Sequence, residues 1–226
     1  MITAWRRLSG HPAFPWVAPF VLFMALLVVG PRLPIGLWEQ PLRVVVLAAF
    51  LWLVSRRVID PDLARPLGSV LLGAGVFVLW MAPDVIWPGY REHWLFSNAL
   101  TGGGAPLPEG FAESRMAVAF RAVRAVVLVP VIEELFWRGW LMRWLIRSDF
   151  ERVPLGAYSP RAFWLTALLF ASEHGSFWGV GLIAGIAYNW WIVRTRRLGD
   201  CILAHAVTNG LLSAYVITGG RWEYWL

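Results

Sequence analysis

The sequence predicts an all-α protein, a polytopic membrane helix bundle of about seven to eight transmembrane helices. Three observations carry that expectation. Hydrophobic residues make up 58% of the 226-residue chain, whose mean hydropathy is +0.59. Charged residues reach only 15%, against about 25% in an ordinary soluble domain. Sixteen Trp residues are present, and indoles collect at the two membrane–water interfaces. A single membrane-embedded domain over 1–226 is expected. Its N-terminal spans and a long loop fill 12–114, and motif-bearing helices fill 115–218.

Each span has a reason for its limits. The first, 12–30, is ended by Pro31 and Pro34. The second, 42–55, is closed by Arg56 and Arg57. The third, 67–82, carries Gly68, Gly73 and Gly75, small residues that let a neighbouring helix come close. A polar connection follows over 84–114, with a Gly-rich tract from Gly102 to Pro106 and a short interfacial helix expected near 90–96. The fourth span, 116–146, is longer than a bilayer requires. Arg121 and Arg124 near its start, and Arg143 and Arg147 at its end, can snorkel to the interfaces. Pro130 lies inside it and is expected to kink it. Spans five, six and seven are predicted over 162–174, 177–193 and 201–217.

The charge pattern orients the bundle. All twenty basic residues are Arg, and the net charge is +6. Arg6, Arg7, Arg56, Arg57, Arg65, Arg147, Arg152, Arg161, Arg194, Arg196 and Arg197 fall on one side if seven spans alternate. Positive loops are cytoplasmic, so the N-terminus is expected inside and the C-terminus outside. The basic excess is assigned to topology, and no nucleic-acid partner is expected; lipid is. The lone Cys201 leaves no internal disulfide and no C-x-x-C metal site. The N-terminal apolar run, with no clear cleavage site, is read as a retained first anchor.

Chemistry is concentrated in three short motifs. Glu133, Glu134 and Arg138 stand near the middle of span four, and ionisable groups inside a membrane segment mark functional sites. Glu134 and Arg138 are four apart and share a helix face, so they are expected to pair. Glu133 points about 100° away and is left free to take a proton from water. Phe170-x-x-x-His174 ends span five and supplies an imidazole. His205 and Asn209 share a face of span seven, where two neutral donors can hold a developing oxyanion. Counted at 1.5 Å per residue from the cytoplasmic ends, His174 lies about 20 Å deep and His205 about 10 Å. Their meeting requires span five to start deeper, tilt or break.

Other chemistries are weaker. No H-E-x-x-H is present, and His11 and His93 lie in polar or interfacial segments, so neither a metal nor any other cofactor is expected. Ser172 and Ser176 lack a G-x-S-x-G setting. A lone Cys201 at a helix start reads as packing.

Glu133-Glu134-x-x-x-Arg138, Phe170-x-x-x-His174 and His205-x-x-x-Asn209 together resemble the CPBP family (CAAX protease and bacteriocin-processing, or Abi). The stretch from Val129 to Leu212 is similar to a bacterial subgroup described as CAAX prenyl protease-related, found with exosortase systems. The resemblance implies a metal-independent intramembrane glutamate endopeptidase of the bacterial inner membrane, acting on a membrane-associated protein or peptide. It also implies an exosortase-type system as a partner. By that likeness Glu133 and His174 activate water and His205 with Asn209 stabilise the oxyanion. Glu134 and Arg138 organise the site, and Phe170 packs beside it. Two rival readings are a non-enzymatic scaffold, immunity or export-partner protein, and a zinc-dependent membrane protease.

Overall fold

Proline and glycine set most of the helix limits in the computed structural model, which describes residues 10–98 and 106–225. Arg6, Arg7 and most of the Gly102 to Pro106 tract lie outside the described residues. Seven long helices appear among the described residues. Helix α1 is Phe14–Val29. Helix α2 is Glu39–Phe50, prolonged by a π-turn over Leu51–Ser55. Helix α3 is Pro66–Ile86. Helix α4 runs continuously over 115–144, with α-helical turns separated by π-helical ones at Arg124–Leu128 and Leu135–Leu141. Helix α5 is Pro160–Ser172, α6 is Trp178–Thr195 and α7 is Leu198–Gly219. No strand occurs among the described residues. Pro66 and Pro160 open α3 and α5, where a missing N–H is harmless. Gly220 closes α7 in the left-handed region at φ 64°, and its N–H bonds the Val216 carbonyl. The interfacial helix expected near 90–96 is a single 3₁₀ turn, Tyr90–Glu92.

Among the described residues five segments are long and apolar enough to cross a membrane: Phe14–Arg32, Gly36–Ser55, Pro66–Ile86, Gly175–Thr195 and Leu198–Gly219. Helix α4 has the length but carries buried charge. Helix α5 has 13 residues, about 20 Å, and forms an antiparallel hairpin with α6.

Helix α7 is the hub. It packs on α3, α4 and α6. A Cβ on Gly73 would strike the Ala204 backbone, so this glycine lets α3 and α7 touch. Gly68 does the same for the Trp191 ring, whereas Gly75 faces open space. Asp200, fully buried, accepts hydrogen bonds from Ala64 N (2.8 Å), Arg65 N (3.0 Å) and Ser69 Oγ (2.8 Å). It thereby ties the segment just before α3 to the buried start of α7. That early burial resolves the depth difference between His174 and His205. Helix α7 begins inside the protein, and α5 stops at Ser172, leaving His174 in the turn before α6.

The expected interruption at Pro130 takes the form of a change of helical register. In the π-turn before it, Val129 N–H bonds the Arg124 carbonyl. Pro130, next in line for Ala125, has no N–H.

Candidate active site

The orphaned Ala125 carbonyl is satisfied from another helix: Asn209 Nδ2 donates to it at 2.8 Å. This bond fixes Asn209 against α4 and leaves one amide N–H uncommitted. On the same face of α7, His205 Nδ1 stands 2.9 Å from Glu134 Oε1. Its Nε2 points the other way and lies 4.0 Å from Glu133 Oε2.

Glu134 and Arg138 form the expected pair at 3.1 Å, with both side chains fully buried. Arg138 is held on every side. Its Nε donates to Asn189 Oδ1 at 2.9 Å and its Nη2 to the Gly185 carbonyl at 3.3 Å. The guanidinium also lies over the Phe170 ring at 4.6 Å, a favourable cation–π contact. Asn189 is oriented in turn by donating to the Phe163 carbonyl at 2.8 Å. One arginine therefore joins α4, α5 and α6 around Glu134.

His174 is fixed by chemistry as well as by space. Its Nδ1 lies 2.7 Å from the Phe170 carbonyl. A carbonyl only accepts, so Nδ1 carries the proton and Nε2 is left as an acceptor. Gly181 makes room for the ring, since a Cβ there would come within 3.2 Å of three of its atoms. Phe170 is buried beside both imidazoles, with ring centroids 4.7 Å from His174 and 6.2 Å from His205.

Glu133, His174, His205 and Asn209 all line one cavity of about 740 Å³. Glu133 is 6% exposed, and its Oε2 has no hydrogen-bond donor among the described residues. The sequence reading treats His205 as a neutral donor. The structure refines this: with Nδ1–H directed at a carboxylate, Nε2 donates when the ring carries both protons. Among the described residues no group of three His, Cys, Asp or Glu is placed to hold a metal ion. Ser172 Oγ is spent on the Leu169 carbonyl at 2.7 Å, and His11 and His93 bond nearby backbone. Cys201 is fully buried against the Tyr188 carbonyl.

Residues 115–211 match the family described as Type II CAAX prenyl endopeptidase Rce1-like. The match covers less than half of the chain. It begins at the first residue of α4 and ends within α7, so it contains Glu133, Glu134, Arg138, Phe170, His174, His205 and Asn209. No curated protein and no solved structure matches the chain. That match, together with five helices among the described residues that are long and apolar enough to cross a membrane, agrees with a multi-pass membrane protein.

Several residues around the Rce1-like motifs escape sequence reasoning. Glu173 also lines the cavity, and its Oε1 accepts from Trp137 Nε1 at 3.0 Å. Its neighbour His174 drew the attention; the carboxylate beside it was the available signal. Tyr188 stacks on His205 at 5.1 Å, and its hydroxyl donates to Thr208 Oγ1 at 2.7 Å. Thr208 passes the bond on to the Gly73 carbonyl at 2.8 Å. Trp222–Trp225 folds back so that Tyr224 and Trp225 border the cavity, which no local pattern announces.

Proposed function

We propose that this protein is a glutamate-dependent intramembrane endopeptidase that hydrolyses a peptide bond without a metal. The observation that carries the reading is the convergence of Glu133, His174, His205 and Asn209 on one cavity. They come from α4, from the turn after α5, and from α7.

Glu133 is the general base. It takes a proton from water held also by His174 Nε2, and the hydroxide attacks the carbonyl carbon. The oxyanion accepts from protonated His205 Nε2 and from the free N–H of Asn209. Collapse breaks the C–N bond, and the leaving amine takes the proton from Glu133, so the net change is addition of one water. Base catalysis of this kind contributes about 10²–10⁴-fold, and one oxyanion donor about 10²–10³-fold. Glu134 and Arg138 are positioning residues: the pair aims His205 Nε2 at the cavity.

The same reading places the chain in a bacterial inner membrane with its N-terminus cytoplasmic, as one domain whose motif helices act within the bundle. It gives the chain a membrane-associated substrate and an exosortase-type system as partner. The test compares chain termini, by mass spectrometry of membrane proteins, in cells producing wild-type protein or Glu133→Gln at equal abundance. New termini are expected with wild type only. Identical termini in both, with the biological activity retained by Glu133→Gln, would establish the scaffold reading instead.

A further inference from the structure

We infer that the cavity receives its peptide from the non-cytoplasmic face of the membrane, so its substrates are segments exposed on that face and not cytoplasmic tails. This rests on the proteolytic reading of the same cavity. Three independent features of the structure support it.

The first is the origin of the rim. Above Glu133 the cavity is bordered by Arg91 from the 84–114 connection, Arg121 from the first turns of α4, Phe177 from the α5–α6 turn, and Tyr224 and Trp225. All of these belong to one end of the bundle. The connections 56–65, 147–159 and 196–197, at the other end, contribute no lining residue among those described.

The second is charge. Those opposite connections and their flanks hold Arg56, Arg57, Arg65, Arg147, Arg152, Arg161, Arg194, Arg196 and Arg197. The rim end holds fewer arginines, Arg32, Arg43, Arg91, Arg115, Arg121, Arg124 and Arg221, and acidic residues lie at both ends. Positive loops stay in the cytoplasm, so the rim faces away from it.

The third is a floor. Beneath His205 the stacked Tyr188 bonds Thr208, which bonds the Gly73 carbonyl. Below that, Asp200 ties the start of α7 to Ala64, Arg65 and Ser69, and Trp191 Nε1 donates to Ser69 Oγ at 3.0 Å. These buried, hydrogen-bonded layers close the route from the Arg-rich side. At the rim, by contrast, Arg121 donates to the main-chain carbonyl of Trp225, the last residue of the 3₁₀ turn Trp222–Trp225, so a guanidinium there already meets a backbone carbonyl.

Cysteine accessibility tests the inference without a known substrate. Cys201 is the only cysteine, so a Cys201→Ser background that keeps the wild-type melting profile carries one probe at a time. Ser176→Cys reports the cavity rim, Ser97→Cys the 84–114 connection and Ser148→Cys the Arg-rich end. Ser172→Cys, also on the cavity wall, replaces Ser176→Cys if that variant fails to fold. Intact spheroplasts are treated with a membrane-impermeant maleimide before or after lysis. Ser97→Cys and the cavity probe are expected to label before lysis, and Ser148→Cys only after it. The inference is overturned if the cavity probe labels only after lysis, with or without Ser97→Cys, or in neither condition. None of these outcomes touches the comparison of wild type with Glu133→Gln, so proteolysis is judged separately.

Discussion

Glu133 and Glu134 are neighbours in one helix, yet they occupy opposite environments. Glu134 Oε1 receives Arg138 and His205 in a fully buried setting. Glu133 faces a cavity, and its Oε2 finds no donor among the described residues. The 100° between successive helical residues is enough to turn one carboxylate into the bundle and the other toward the cavity. The pair teaches that a buried charge is retained in two ways. One is to be held through one oxygen by charged and polar partners so that it orients its neighbours, as Glu134 Oε1 is, although Glu134 Oε2 has no donor among the described residues. The other is to be left open toward a space where a reactant can complete the set.

The contrast can be broken or sharpened by substitution. The largest effect is expected from Glu133→Gln. Turnover of an identified peptide should fall by about 10²–10⁴-fold, while the unfolding transition in detergent stays that of wild type. Arg138→Met should do the reverse in kind. Taking the guanidinium from Glu134, which then keeps only His205, should destabilise the fold by up to about 3–5 kcal/mol, read by denaturant unfolding in micelles. Adding Glu134→Gln to it should restore much of that loss, because the pair acts as a unit. Glu173→Gln and Trp137→Phe should each slow turnover by about tenfold, the equivalent of one hydrogen bond of about 1.4 kcal/mol. If the two differ widely, the Trp137–Glu173 bond is not how either acts. Ser172→Ala should change turnover by less than about twofold, since a serine nucleophile would lose several orders of magnitude.

Much of this architecture was legible in the amino-acid order because it obeys local rules. Apolar runs, Pro at helix starts and Gly at helix ends place all seven long helices within a few residues. The Glu134–Arg138 pair follows from their spacing of four. What escaped depends on contacts between distant segments. That Asn209 would serve the Ala125 carbonyl requires knowing that the helix adopts a π register before Pro130. That Gly73 and Gly68 pack while Gly75 does not depends on where α7 and α6 cross α3. Glu173 reaches the cavity wall because the turn Gly175–Phe177 ends the hairpin beside it. The fold-back of Trp222–Trp225 depends on aromatic partners such as Phe111 and Phe177, more than forty residues away in sequence.

The central claim is that Glu133 and His174, from different helical segments, act on a single water molecule. A double-mutant cycle on kcat measures this directly, with Glu133→Gln, His174→Ala and their combination assayed on one peptide. Two groups sharing one task should be strongly non-additive, so the combined variant should be about as slow as the slower single one. Losses that multiply, with the double variant slower by the product of the two factors, would mean that the groups act independently and would contradict the account.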